Sequence, residues 1–237
     1  MGSAVVTADN ILFYSIVAAV VPVALYVGLI YWADWYEKEP WWLLSAAFLW
    51  GAVPAALLAF LFNSLVSLPF YYLFPERAAD LVSSGAVAPV VEEIVKALVL
   101  FLILIVRRQE LDSPLDGIIY GAMVGMGFAM VENVLYYVAN FRENGPDGWN
   151  SLVLIRGGVF GLNHALYTGL TGLGIALARA SRSRWVQLGA PLLGLGAAIL
   201  LHSLHNVSMM GGTPFSFLAG LTFGWGGVWL TVGIIIL

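Results

Sequence analysis

The strongest constraint on this chain is a succession of long apolar runs, near residues 11–33, 43–72, 86–106, 115–140, 157–178, 186–208 and 215–237, separated by short charged or Pro/Gly-containing stretches. A hydrocarbon layer about 30 Å thick is crossed by about 20 apolar helical residues, and in lipid only helices or closed barrels satisfy their own backbone polar groups. The pattern predicts an all-α, polytopic transmembrane helical bundle of about seven spans. The second run is longer than one crossing needs, and Pro54 and Pro69 lie within it. A proline kinks or ends a helix, so eight spans fit the same residues. Composition removes the soluble alternative: 61% of the 237 residues are hydrophobic and 10% are charged, against about 25% charged in an ordinary soluble domain. Spans and short loops use up the whole length, so residues 1–237 are expected to form a single membrane domain.

The connections include DWYEKEPWW, FPERAADLVSSG, RRQELDSPLD, FRENGPDGWN and RASRSRW. The Trp41-Trp42 pair suits the aromatic belt at a membrane surface. With the N-terminus outside, the cytoplasmic loops carry Lys38, Arg107, Arg108, Arg179, Arg182 and Arg184, and the other face carries Arg77, Arg142 and Arg156. This asymmetry predicts N-terminus out and C-terminus in. The opening MGSAVVTADN lacks the basic region of a signal peptide, so the first run is expected to remain as a span. The ten Lys and Arg are scattered and the net charge is −4, which excludes a nucleic-acid footprint and leaves the lipid bilayer as the implied surrounding. The absence of cysteine rules out disulfides, thiolate metal sites and a thiol nucleophile. Gly117, Gly121 and Gly125 recur every fourth residue, which lets a neighbouring helix approach closely. The oligomeric state has no signature here.

Ionisable residues inside the spans carry the functional information: Glu92, Glu93, Lys96, Glu132, His164, His202 and His205. Insertion scales put a charge at a helix centre at about 2.5–3.5 kcal/mol unfavourable, so such groups face the bundle interior and find partners. Measured from the non-cytoplasmic face, Glu92, Glu132, His164 and His202 all lie roughly 9 to 12 Å deep at about 1.5 Å per residue. Four helices thus offer polar groups at one level, which points to a functional cluster; the plain alternative is a polar network that only holds helices together. Glu92 and Lys96 are an i, i+4 pair and Glu93 and Lys96 an i, i+3 pair. The lysine can therefore neutralise one carboxylate while the other faces a cavity. His202 and Asn206 share a face and can donate hydrogen bonds to an oxyanion. His205 is turned about 100° from His202 and is expected to pack elsewhere.

Taken in order, EEIVK at 92–96, FAMVE at 128–132, HALYT at 164–168 and HSLHN at 202–206 resemble the signature of the PrsW family of intramembrane proteases, which is related to the CAAX prenyl endopeptidases and bacteriocin-processing membrane proteases. The resemblance extends to YEKEPWW and GMGFAMVENVLYY and covers about residues 31–206. It implies hydrolysis of a peptide bond in a membrane-anchored protein, of the anti-sigma-factor kind. It also implies that Glu92, the first of the paired glutamates, is the base, with His202 and Asn206 in the final motif. Glu132 stands where the CAAX endopeptidases carry a histidine.

The expected mechanism is glutamate-activated water: Glu92 takes the proton, Glu93 and Lys96 set its charge state, His202 and Asn206 hold the oxyanion, and Glu132 or His164 protonates the leaving amine. It needs no cofactor. The alternative is a zinc site built from Glu132, His164 and His202 with one open position, although the chain has no HExxH helix. The rival from another class is a proton-coupled transporter, since buried Glu and His also relay protons. Two matching halves, common in transporters, are not evident.

Overall fold

Apolar side chains leave the backbone to bond to itself, and every regular element in the described residues is helical. The computed structural model describes residues 6–34 and 38–223. α1 is Ile11–Ala33. α2 (Trp41–Trp50) and α3 (Ala56–Leu73) form one continuous stretch through a π-helical turn at Gly51–Ala55. That turn contains Pro54, whose missing N–H an ordinary helical turn would leave as a gap in the ladder. Pro69 lies inside α3 without ending it, so the second apolar run is a single helix rather than two. A short α4 (Glu76–Val82) and a second π turn (Ser83–Val87) lead into α5 (Ala88–Val106). α6 is Pro114–Leu152, α7 is Asn163–Ala180, α8 is Arg184–Met210 and α9 is Pro214–Phe223.

Among the described residues, four stretches are long and apolar enough to cross a membrane by length and composition: Ile11–Trp32, Trp41–Leu73, Pro114–Ala180 and Arg184–Met210. This differs from the seven runs expected, for identifiable reasons. α5 has the length, 19 residues, but carries Glu92, Glu93 and Lys96 together. The stretch Pro114–Ala180 combines α6, a π turn at Val153–Val159 and α7. FRENGPDGWN, expected to be a connection, does hold a break between two helices, confined to Gly145, whose φ of 69° suits glycine, while the residues on either side are helical. Of the last run, Pro214–Phe223 is helical and the remainder lies outside the described residues.

The glycine stripe brings α6 against α7. A Cβ on Gly117, Gly121 or Gly125 would fall 2.2, 2.3 or 2.1 Å from the backbone oxygens of Gly172, Thr168 and His164. On another side of α6, Gly127 meets the carbonyl of Phe48, while Gly51 on the α2–α3 stretch meets that of Val124. Between these close approaches lies a core of Leu44, Ala47, Leu100, Tyr120, Val124 and Ile175. Contacts at the helix ends sort the two faces of the bundle. The Arg107 guanidinium lies 5.3 Å from the Trp42 ring and Arg179 Nε donates to the Arg108 carbonyl at 3.3 Å, so the start of α2 and the ends of α5 and α7 share one face. Asn206 Nδ2 donates to the Ser84 carbonyl at 2.9 Å, which sets the start of α5 beside the end of α8 on the other.

Candidate active site

Glu92 and Glu93 follow the π turn that opens α5, and one helical step separates their directions by about 100°. Glu93 is fully buried and engaged three times: Lys96 Nζ lies 2.6 Å from its Oε1, His202 Nδ1 lies 3.0 Å from the same oxygen, and Thr168 Oγ1 donates to Oε2 at 3.1 Å. A carboxylate beside Nδ1 takes that nitrogen's hydrogen and leaves Nε2 of His202 bare. That bare nitrogen lies 3.8 Å from Glu92 Oε2. Glu92 accepts from Asn63 Nδ2 at 3.1 Å on Oε1, while its buried Oε2 has no hydrogen-bond partner. A free, buried carboxylate oxygen facing a bare imidazole nitrogen is two acceptors awaiting a shared donor.

Lys96, also fully buried, reaches past Glu93 to His164 Nδ1 at 3.2 Å and lies 4.2 Å from the Phe128 ring. An ammonium only donates, so His164 carries its hydrogen on Nε2, which donates to Glu132 Oε2 at 2.9 Å. Arg156 Nη2 meets the same oxygen at 2.6 Å. Tyr167 stacks on His202 with ring centroids 4.8 Å apart, and the two histidine rings are 5.1 Å apart. Glu92, Glu132, Arg156, His164, Tyr167 and His202 line a cavity of about 60 Å³, large enough for water.

Of the residues singled out from sequence, Glu92, Glu93, Lys96, Glu132, His164 and His202 meet in this one cluster. Asn206 lines the cavity but spends one N–H on the Ser84 carbonyl, leaving its second free. His205 packs edge-on against Phe160 at 4.6 Å and still lines the cavity mouth. Sequence reasoning passed over Asn63, Arg156, Tyr167 and Thr168. The last two follow His164 at i+3 and i+4, a spacing that could have placed them on its face.

The candidate metal donors also differ from expectation. Glu92, His164 and His202 each offer a ligand atom, all within 4.8 Å of one another. The expected set had Glu132 in place of Glu92, but Glu132 Oε2 is already taken by Arg156 and His164. Two of the three fit a metal ion as they stand: Glu92 supplies an unpartnered oxygen, and Glu93 orients His202 as an outer carboxylate orients a ligating histidine, whereas His164 would have to release Lys96 or Glu132 to offer a nitrogen.

Apolar helices closing around carboxylates, imidazoles and a lysine fit a membrane-embedded enzyme, and the comparisons with known proteins give its class as intramembrane protease. Residues 39–237 match the family described as PrsW family intramembrane metalloprotease. The chain belongs to the PrsW family of intramembrane proteases. It is 29% identical over 217 residues to Protease PrsW of Geobacillus kaustophilus, covering 89% of this chain and 86% of that protein. Protease PrsW of Clostridioides difficile is 34% identical over 125 residues, 53% of this chain and 51% of that protein. Protease PrsW of Bacillus subtilis is 27% identical over 205 residues, 82% of each. No solved structure matches the chain. Family membership displaces the transporter reading.

Proposed function

We propose that this protein hydrolyses a peptide bond in a membrane-anchored protein, using a water molecule activated by Glu92. The observation that carries this reading is the unpartnered Glu92 Oε2 set 3.8 Å from the bare Nε2 of His202. A water between them donates one hydrogen to each and turns its oxygen lone pair towards a substrate carbonyl. Glu92 takes the water proton as the new C–O bond forms. The oxyanion is held by the free N–H of Asn206, and His202 Nε2 takes the second hydrogen of the attacking water as the intermediate collapses, so that the acid product leaves as a carboxylate. Glu92 then gives its proton to the amine as the C–N bond breaks, leaving a carboxylate and an amine. Glu132, which already accepts from Arg156 and His164, orients rather than protonates. Glu93 and Lys96 fix the tautomers of the two histidines.

We take the substrate to be a membrane-anchored regulator of the anti-sigma-factor type, a reading that the family resemblance supports. We read the chain as crossing the membrane seven times, N-terminus out and C-terminus in, with α5 crossing despite its charges because they point into the cluster. The alternating faces at which helix ends meet support this reading.

A second reading rests on the convergence of Glu92, His164 and His202. These three would hold a zinc ion, which when bound supplies Lewis-acid activation of the water. Cleavage of a single-span substrate by purified protein in liposomes tests both. The combined Glu92→Gln and Glu93→Gln variant is expected to be inactive, and undiminished cleavage ends the glutamate mechanism. Phenanthroline, with metal analysis of the active preparation, separates the two: loss of cleavage and loss of one equivalent of metal together favour zinc.

A further inference from the structure

Arg156 enters the sequence only as a loop charge, yet its side chain reaches into the cluster. It sits in the π turn Val153–Val159, which closes where the Phe160 N–H reaches the Ile155 carbonyl at 2.9 Å. Such turns inside helices are frequent at functional positions because they re-aim a side chain. This one is pinned from α1: the Tyr26 hydroxyl lies 3.1 Å from the carbonyl oxygens of both Gly157 and Gly158 and shares its hydrogen between them. The pinning leaves no room for slack. A Cβ on nearby Gly161 would come within 2.3 Å of the Tyr26 ring.

The guanidinium is held on three sides. Nε donates to Asn133 Oδ1 at 2.8 Å, Nη2 donates to Glu132 Oε2 at 2.6 Å, and the plane stacks 4.0 Å from the Tyr136 ring centroid. A fork that is both paired and stacked is a geometry lysine does not reproduce. The oxygen it grips is the one that accepts from His164 Nε2. The two donors therefore meet on one atom, and the position of that atom holds the His164 ring with Nε2 towards Glu132 and its other nitrogen towards Lys96. Without the guanidinium, Glu132 loses its cationic partner and is free to change rotamer, and the His164 ring is free to turn with it.

We infer that Arg156 is a positioning residue for the reaction: presented by the π turn that Tyr26 pins, it fixes Glu132 and through it the orientation of the His164 ring. The inference rests on the reading of this cavity as the hydrolytic centre, and goes beyond it by assigning a role to a residue outside the four motifs.

The test uses the full-length protein in liposomes with Arg156→Gln, Arg156→Lys and Tyr26→Phe, and two readouts. The first is cleavage of a single-span substrate: kcat is expected to fall about 10- to 100-fold in Arg156→Gln with KM within about twofold of wild type, and less far in Arg156→Lys and Tyr26→Phe. The second is independent of turnover: carbethoxylation by diethyl pyrocarbonate, read by mass spectrometry on the His164 peptide apart from those of His202 and His205. Both nitrogens of His164 are occupied in the wild type, so its modification is expected to be slow there and faster in Arg156→Gln. Wild-type kcat in Arg156→Gln, a loss carried by KM alone, or a His164 modification rate unchanged by all three variants overturns the inference. If Arg156→Gln does not fold, Arg156→Lys and Tyr26→Phe decide it by the same readouts. A wild-type protein that cleaves nothing overturns the hydrolytic reading, while the modification rates still judge whether Arg156 positions His164.

Discussion

Glu92 and Glu93 are neighbours in sequence with opposite circumstances, and the difference comes from one helical step. Glu93 is saturated by Lys96, His202 and Thr168, whereas Glu92 keeps one oxygen unpartnered. Removing one member of a buried pair leaves the other charge uncompensated, typically at a cost of about 3–5 kcal/mol. Glu93→Gln is therefore expected to lower thermal stability markedly as well as activity, and melting curves of the two single variants in detergent check it: Glu92→Gln should melt near wild type. Asn63→Leu removes the donor that fixes Glu92 Oε1, and its kcat is expected to fall by about tenfold with folding intact, measured on the same substrate. The sequence disclosed the cluster through its charges, because each is anomalous in an apolar run. It did not disclose Asn63, a neutral residue in a helix whose neighbours Phe62 and Ser64 face outward, nor Arg156, whose place at a span edge made it look like a topological charge.

At the scale of elements, the site depends on how closely α6 and α7 approach. Gly125 lies against the carbonyl of His164 itself, so a methyl group there must push α7 away. Gly125→Ala is expected to destabilise the fold by about 1–3 kcal/mol through overpacking and to reduce cleavage, whereas Gly189→Ala, with nothing within 4 Å of its Cβ, should leave both unchanged. Thermal unfolding and cleavage rates of the two variants test the contrast. The every-fourth-residue glycines were legible as a packing face, but the π turns were not, since their sequences carry no period of their own. A second element-level device joins the α1–α2 connection to α6. Glu39 is buried there, its carboxyl bonded to the Tyr120 hydroxyl and its N–H donated to Asp34 Oδ2 at 2.8 Å. Burial, with Asp116 and Asp34 nearby, raises its pKa from 4.5 to about 8 against the opposing effect of Tyr120. The folded protein thus holds a proton that the unfolded chain releases at a lower pH. The associated stability is complete below pH 4.5 and lost as pH rises through about 8. Melting temperature should fall between pH 6 and pH 9 in the wild type by more than in Glu39→Gln, where this contribution cannot titrate; equal slopes would refute it.

For the whole molecule, the decisive feature is that polar groups from α5, α6, α7 and α8 close on one another while apolar surfaces face outward. Helical class and the convergence of the charged residues followed from hydropathy and helical rise. The helical turns flanking Gly145 did not, because Gly145 and Pro146 signal a longer connection than the single-residue break between two helices that the chain makes there. Because the chain has no cysteine, single cysteines report its orientation cleanly: with the N-terminus out, Ser181→Cys is expected to react with a membrane-impermeant maleimide only after the cells are opened, and Asp147→Cys in intact cells. The central claim, that Glu92 activates the water, is tested most directly by the turnover of Glu92→Gln beside wild type, on one single-span substrate and with both proteins shown to be folded. Loss of at least about 100-fold in kcat is the predicted result, and turnover at the wild-type rate would contradict it.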